Sequence, residues 1–579
     1  NLSQSANSKF QGDFLLSDTG TSLTLTTDVT FGNSAMQGSY SSGKYSTFHT
    51  NGYKLSFDSC TLLYLAFEGD NDTIYGGESY FQAISILDDY VLDGIFNIGN
   101  GVYFNGNITN NGILQNYAGW FYTLLVRSKL TNDGTVRNNP DGGTFHVSLS
   151  ADLHNNGIYK PETTKIPTGI NAHLSQSANS NFGGDFSPQD TNSNITLLSD
   201  VTFKQGNIQG YYNSGKRSTI YTNGNMLSFD SCDVSYLKFK GDNDTIDGNG
   251  SFFNLLDISD DHVFKGTIDI GSNVYVGGDI INEGVFQNKN GFYNSEIILQ
   301  GHLVNKGEFR NNPNGYRLQV KLKNSMHNAG VFTPYALMLY GKKNHFLSQT
   351  EGSFYESQYT YLEEPEDSLT LASNLSFNKS ELRGKTGQSY VFTSGYNLSI
   401  DSAWFVNLHL IGNDTLLFKE ALAYDVIFHN SPVIDGVLGL HASAYGSSGV
   451  VFNDSFELLG SIFNRSGQNV TTKFNGTFLN NGVVGTDGGA LTINTVSNII
   501  NNGTYNPTNT YLKGKNNRSI SGSIPDAIKG KFYVSDTFTL VGENHLSHLE
   551  FQSAGLLTID TNASLSVLDY HIWNNDNMI

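Results

Sequence analysis

The chain has 579 residues, and its 53 Asp and Glu against 33 Lys and Arg give a formal net charge of −20 at pH 7. Only 15% of the residues are charged and no basic block occurs, so the sequence argues against binding to nucleic acid. No apolar run is long enough to cross a membrane as a helix, so the sequence predicts no transmembrane segment.

The composition is typical of an all-β chain with many turns. It includes 62 Gly, 31 Tyr and 38 Phe but only 10 Pro. Glycine supplies tight turns, whereas aromatic and β-branched side chains fit the pleated surface of a sheet.

A long tandem repeat is the strongest signal in the sequence. The heptapeptide at residues 2–8 returns unchanged at 174–180, and its first three residues open a third copy at 347–349, so the unit is about 172 residues long. The predicted repeats are 1–171, 172–345 and 346–518, followed by a partial repeat at 519–579, whose residues 575–579 align with 70–74.

A shorter period of 21 to 23 residues runs inside each unit and is marked by the pattern Asn-x-Gly. Such a period fits one coil of a parallel β-helix, or β-solenoid, with two or three short strands joined by turns, in about 25 coils. The predicted turn ladder comprises Asn110, Gly112, Asn132, Gly134, Asn155, Gly157, Asn282, Gly284, Asn305, Gly307, Asn328 and Gly330.

The Asn-x-Gly pattern has a local physical explanation. Glycine would supply a left-handed backbone at the corner, and each Asn would exchange side-chain amide hydrogen bonds with the Asn of the next coil. Apolar residues flanking the turn should point inward: Leu130, Val136, Leu153, Ile158, Ile281, Val285, Leu303 and Phe309.

Cys60 and Cys232 occupy identical Phe-Asp-Ser-Cys contexts one repeat apart. Equivalent positions of stacked repeats lie too far apart for a disulfide, so both are expected to be small buried core residues.

The segment from Tyr40 to Thr50 has looser spacing, which predicts an irregular coil or an inserted hairpin.

Two acidic motifs recur with the long period. The segment at 69–74, Gly-Asp-Asn-Asp-Thr-Ile, is similar to one turn of the calcium-binding nonapeptide repeat, which would make Asp70, Asp72, Asp242 and Asp244 calcium ligands. Those sites need tandem copies, and one copy per unit favours an Asx-rich solvent turn instead.

The second motif is a pair of adjacent carboxylates, at 88–89 and again at 260–261. Paired carboxylates suit polysaccharide hydrolysis, but neighbours on a strand point to opposite faces and cannot converge on a substrate.

Sequons for N-glycosylation occur along the chain, and Asn71, Asn243 and Asn413 share one repeat position. If the source glycosylates secreted proteins, these three are the strongest candidates. Other candidate sites are Asn107, Asn475, Asn502 and Asn517.

The Asn-x-Gly coils, for example at 106–113 and 278–285, resemble those of β-helical surface adhesins. Two groups are similar: bacterial filamentous-haemagglutinin and autotransporter passenger domains, and the N-terminal β-solenoid domain of fungal hyphally regulated cell-wall proteins. The resemblance implies secretion, display on a cell surface and a role in adhesion or wall structure. An autotransporter barrel, a Ser/Thr-rich stalk and an anchoring tail are not seen in these 579 residues.

We therefore expect an extracellular structural rod or filament subunit rather than an enzyme, because what repeats in the sequence is structural. Its partner would be a second copy in a head-to-tail fibre, unless the natural chain is longer. The alternative is a carbohydrate-binding surface adhesin that uses aromatic residues around Tyr40, Tyr45, Tyr211 and Tyr212, although aromatics inside the coil are the commoner explanation. A polysaccharide-active β-helix enzyme is a third possibility.

Overall fold

A computed structural model describes residues 1–6, 8–341, 343–385, 389–442, 449–514, 518–522, 528–552 and 555–572. In this part of the chain the regular structure is β-strand without helix, and the strands form a parallel β-solenoid of about 25 turns with a spacing of ~21 residues between stacked strands. The predicted fold class is therefore confirmed. No helix among these residues is long and apolar enough to span a membrane. Residues 575–579 and Asn517 lie outside the described residues.

The chain divides into two compact units, residues 1–289 and 290–579. In the first unit each turn of the regular part contains three short strands, one on each side of the coil. The asparagine ladder, the polar contacts between turns, the hairpins and the exposed aromatic residues of the first unit lie on or beside a set of short strands. These strands are Tyr40–Ser41, Lys44–His49, Leu55–Asp58, Thr61–Glu68, Asp72–Tyr75, Ser79–Ile86, Tyr90–Asp93, Ile95–Ile98, Val102–Phe104, Ile108–Asn110, Ile113–Asn116, Phe121–Val126, Leu130–Asn132, Thr135–Arg137, Thr144–Leu149, Leu153–Asn155, Ile158–Lys160, Thr163–Ile166, Tyr212–Asn213, Lys216–Tyr221, Asp244–Asp247, Ser251–Asn254 and His262–Lys265.

Strands one turn apart pair in parallel and in register. Ile108 lies opposite Leu130, which lies opposite Leu153 in the next turn. The other two sides continue in the same way, with Leu114 opposite Val136 and Leu124 opposite Val147. All seven of these side chains are buried, so the core of this part of the first unit is a continuous apolar column inside the coil.

The second unit repeats this three-sided pattern. Its clearest turns consist of the strands Phe456–Leu458, Ser461–Asn464, Val470–Phe474, Phe478–Asn480, Val483–Gly485, Leu491–Thr495, Ile499–Asn501, Thr504–Tyr505 and Asn509–Leu512. Here too the pairing is parallel, as between Phe456, Phe478 and Ile499 on successive turns.

The predicted asparagine ladder is present and buried. In the first unit Asn110 donates from Nδ2 to Asn132 Oδ1 at 2.7 Å, and Asn132 donates to Asn155 Oδ1 at 2.8 Å. In the second unit Asn305 donates to Asn328 Oδ1 at 2.8 Å. Each amide also reaches a backbone carbonyl of the next turn, as Asn132 does to Ile158 at 3.0 Å. The ladder thus satisfies the amide N–H groups at a buried corner, while the Oδ1 of Asn110, the first ladder residue in this run, has no partner among the described residues.

The reason for glycine in the ladder differs from the prediction. Gly112, Gly134, Gly157, Gly284 and Gly330 do not have the left-handed backbone that we expected. Glycine is required instead because the turns approach closely: a Cβ at Gly134 would overlap the carbonyl oxygen of Gly112, and one at Gly157 would overlap that of Gly134. Successive glycines therefore stack backbone on backbone.

The predicted inward direction was wrong for three of the flanking apolar residues. Ile158 is 61% exposed, and Ile281 and Val285 are only half-buried. Because the ladder asparagine itself points inward and side chains alternate along a strand, the buried neighbours are Tyr159 and, in the second copy, Ile280 and Phe286. Burial is confirmed for Leu130, Val136, Leu153, Leu303 and Phe309.

The two cysteines are free and buried, as predicted. Burial raises the pKa of both the Cys60 and the Cys232 thiol, which makes each a weak nucleophile.

The segment from Tyr40 to Thr50 begins with an antiparallel hairpin, in which Tyr40–Ser41 pairs with Lys44–His49. Ser42 and Gly43 in its turn both have a left-handed backbone.

Candidate functional site

The first recurring polar site is a buried clamp at the predicted calcium motif. The hydroxyl of Thr50 donates to Asp72 Oδ2, and the backbone N–H of Gly52 donates to the same oxygen at 3.0 Å. The Tyr90 hydroxyl lies 2.8 Å from Thr50 Oγ1 and completes the chain as donor. Because Thr50, Asp72 and Tyr90 lie on three successive turns, the clamp ties those turns together.

The clamp recurs in the second and third copies. Thr222 donates to Asp244, which also accepts from Gly224 N at 3.1 Å, and Thr393 donates to Asp414. In the second copy His262 stands opposite Asp244, where the first copy has Tyr90 opposite Asp72. The clamp is therefore common to the repeats, whereas its third member varies.

His262 is buried, and neither ring nitrogen has a hydrogen-bond partner among the described residues. Burial lowers its pKa, since the charged imidazolium would lose its hydration. The backbone of Asp244 and then the carboxylates of Asp244, Asp260 and Asp261 favour the charged form and only partly offset this. A neutral imidazole with unsatisfied nitrogens costs stability relative to the hydrogen-bonded tyrosine of the first copy.

The four predicted calcium ligands do not converge. Asp72 and Asp244 are buried and engaged by hydroxyl and backbone donors, whereas Asp70 and Asp242 are exposed. Within the described ranges no group of three or more His, Cys, Asp or Glu side chains is placed to hold a metal ion. Calcium binding stays a prediction, and the contacts at Asp72 and Asp244 are those of a structural clamp.

The carboxylate pairs bond to backbone amides of neighbouring turns. Asp88 accepts from Gly69 N at 2.9 Å on one side, while Asp89 accepts from Asn107 N at 2.7 Å on the other. The second copy is equivalent, with Asp260 bonded to Gly241 N at 3.0 Å and Asp261 bonded to the N–H of residue 279 at 2.6 Å. Each pair therefore faces two different turns and serves as a cap for backbone donors.

The six candidate glycosylation sites that fall in the described ranges are all exposed. Asn71, Asn243 and Asn413 lie at the clamp turn, and Asn107, Asn475 and Asn502 lie in other turns. Four of these amides already donate to a neighbouring side chain: Asn71 to Asp70 at 3.1 Å, Asn107 to Asp89 at 3.0 Å, Asn475 to Asn453 at 3.2 Å and Asn502 to Asn481 at 2.9 Å. Glycosylation there would replace one of the amide hydrogens.

Exposed tyrosines mark the two hairpins. Tyr40, Tyr211 and Tyr212 are exposed, and the Tyr40 ring packs on Tyr45 with 4.7 Å between centroids. In the second hairpin the Arg217 guanidinium lies 5.1 Å from the centre of the Tyr212 ring. For these residues the expectation of aromatics inside the coil is wrong, because the hairpin projects them beyond the stacked strands.

A larger aromatic cluster, which sequence reasoning did not single out, lies in the first unit. We call Tyr80, Tyr117, Trp120, Phe121 and Tyr122 the aromatic patch. Tyr80 packs on Tyr117 with 4.5 Å between centroids, and Trp120 and Phe121 are 67% and 76% exposed. The signal for it in the sequence is four aromatic residues within positions 117–122.

These observations define a parallel β-solenoid protein with structural polar devices between its turns and aromatic residues on its surface. A scan against protein-family models found no match, and neither the curated proteins nor the solved structures that were searched include one.

Proposed function

We propose that the chain is an extracellular structural protein of a cell surface. The observation that carries this proposal is that the features shared by the repeats bond one turn of the solenoid to the next. The asparagine ladder, the stacked glycines and the Thr–Asp clamp are all of this kind. A fold stabilised by identical contacts from turn to turn suits a load-bearing or spacing element.

Surface location and assembly test this proposal. An antibody against the chain should label intact, unpermeabilised cells of the source, and electron microscopy of native material should show the protein in surface structures. Labelling only after permeabilisation would refute it. Analytical ultracentrifugation over a range of concentrations tests the head-to-tail fibre, since a concentration-independent monomer would leave it without support.

A second candidate function is carbohydrate binding at that surface. It is favoured by the exposed hairpin tyrosines Tyr40, Tyr211 and Tyr212. Aromatic rings with a polar edge suit sugars, which present apolar C–H faces and hydroxyl rims. Screening the whole chain on a glycan array tests this candidate, and the absence of binding to any glycan would exclude it.

A further inference from the structure

We propose that the aromatic patch binds a neutral polysaccharide by stacking its sugar rings on Trp120, Phe121 and Tyr117. This inference rests on the carbohydrate-binding candidate above and names its site and ligand class. It is independent of the structural role, which needs only the stacked turns.

The first argument is the exposure of the patch. Trp120 and Phe121 are adjacent and 67% and 76% exposed, and Tyr117 is 45% exposed. Large neighbouring rings left in water on a folded surface mark interaction sites, because their burial by a ligand is favourable.

The second argument is that the segment carrying these rings is held in place. Asn116 is buried, and its Nδ2 lies 3.3 Å from Tyr117 O, 3.4 Å from Trp120 O and 3.1 Å from Gly142 O. Its Oδ1 accepts from Asn139 N at 2.7 Å. One buried amide therefore fixes both ends of the short loop, so that a ligand orders little additional chain on binding.

The third argument is the polar rim beside the rings. Tyr80 lies in register with Asn97, and Asn97 with Gln115, on three successive turns. Gln115 donates to Asn97 Oδ1 at 3.0 Å, and the Tyr80 hydroxyl donates to Gln82 Oε1 at 2.9 Å. Gln115 is buried, and its Oε1 accepts from Arg137 Nε at 3.2 Å. The half-buried Tyr80 hydroxyl and Asn97 amide are therefore the neutral groups of this row that can face sugar hydroxyls.

The charge distribution selects a neutral ligand. Residues 95–126 contain no Asp, Glu, Lys, Arg or His, although the whole chain has a net charge of −20. The equivalent residues 267–298 of the second repeat contain five charged residues. A nucleic acid, an acidic polysaccharide or a charged peptide would find no complementary charge within this stretch, and Arg137, which lies opposite Gln115 on the next turn, is engaged by Gln115 Oε1 at 3.2 Å.

The second repeat provides a natural comparison. There Phe252 replaces Tyr80 and Lys289 replaces Tyr117, so the Tyr–Tyr contact becomes a cation–π contact with Lys289 Nζ 3.7 Å from the Phe252 ring centre. Lys289 also pairs with Asp233 at 3.3 Å. At this pair of positions a charged contact thus replaces the aromatic pair, whereas Tyr293, the equivalent of Phe121, is still aromatic and 72% exposed.

The test is affinity electrophoresis of the full chain in gels that contain hydroxyethylcellulose, laminarin or glycol chitin, with alginate and heparin as anionic comparisons. We expect retardation by at least one neutral polysaccharide. The double variant Trp120→Ala/Phe121→Ala and the variant Tyr117→Lys, which installs the residue of the second repeat, should each weaken that affinity at least about tenfold. Circular dichroism melting of each variant controls for folding.

The matched control is the double variant Tyr293→Ala/Tyr316→Ala in the second unit. These rings also pack together, 4.9 Å apart, and are 72% and 57% exposed, but they lie outside the aromatic patch. The control should bind like the unmodified chain. A second readout is the fluorescence of Trp120 in a background that carries Trp404→Phe and Trp573→Phe, which removes the other two tryptophans. Its emission should shift to the blue when the polysaccharide covers the indole.

Three outcomes would overturn the inference. If the chain binds a neutral polysaccharide and the patch variants bind it equally well, the site is wrong while carbohydrate binding stands. If only the anionic polysaccharides bind, the ligand class is wrong. If no polysaccharide binds, the inference and the carbohydrate-binding candidate both fail. Loss of self-association in the patch variants would then identify the patch as a protein interface.

Discussion

The asparagine ladder allows a quantitative test of what holds the turns together. Asn132 is its middle member in the first unit and is buried. Its Oδ1 accepts from Asn110 at 2.7 Å, and its Nδ2 donates to Asn155 Oδ1 at 2.8 Å and to Ile158 O at 3.0 Å. Replacing Asn132 by Ala removes these three contacts.

The expected cost follows from the groups that lose their partner. Asn110 Nδ2 keeps a second acceptor, Thr135 O at 3.2 Å, whereas Asn155 Oδ1 and the Ile158 carbonyl lose the Asn132 amide. An unsatisfied buried polar group costs about 1–3 kcal/mol. We therefore expect Asn132→Ala to lower the free energy of unfolding by about 2–5 kcal/mol.

The matched control is Asn156→Ala. Asn156 is exposed and has a side-chain hydrogen bond to Asp133 Oδ1 at 2.6 Å, so we expect a change within about 0.5 kcal/mol. Urea denaturation followed by circular dichroism gives the two free energies, and hydrogen exchange of peptides from 108–160 locates the loosened turns. Equal effects of the two variants would refute the idea that the ladder stabilises the stack.

Three further predictions follow from other buried positions. Gly134→Ala should prevent correct stacking, because its Cβ would overlap a carbonyl oxygen of the preceding turn, whereas Gly20→Ala, in open space, should leave the melting temperature within a few degrees of the original. Burial lowers the pKa of His262, so in acid the unfolded chain binds a proton that the native state does not. Stability should therefore fall as the pH drops below about 6.5, and His262→Tyr should reduce that loss in melts at pH 5 to 8; identical pH profiles would contradict this. Cys60 and Cys232 should react with a thiol reagent in denaturant and only slowly in the native protein, as absorbance after reagent addition would show; rapid native labelling would contradict their burial.

The fold could be predicted because the length of one coil appears in the sequence as a repeat of 21 to 23 residues. Asn-x-Gly recurs at the circumference of one coil, and Asn110, Asn132 and Asn155 do form hydrogen bonds from turn to turn. The direction of the flanking side chains could not be read as safely. Once the asparagine occupies an inward position, alternation along the strand sends Ile158 to the surface and Tyr159 into the core.

The role of the ladder glycines was also hidden from the sequence. The sequence does not show whether a glycine is needed for a left-handed turn or for a close backbone contact. Only the register between turns distinguishes the two cases. In the structure Gly134 lies against the carbonyl of Gly112, so the constraint comes from the neighbouring turn rather than from the local backbone angle. Contacts between residues one turn apart decide such cases.

The candidate binding site was missed for a related reason. Self-comparison selects what the repeats share, and in this chain the shared residues, such as Thr50 and Thr222, hold the turns together. The aromatic patch differs between the repeats at its Tyr80–Tyr117 contact: Tyr117 stands where the second repeat has Lys289, within a stretch that contains no charged residue. In a repeat protein the shared positions report on stability, and the positions that differ between equivalent surfaces are where a binding site is best sought.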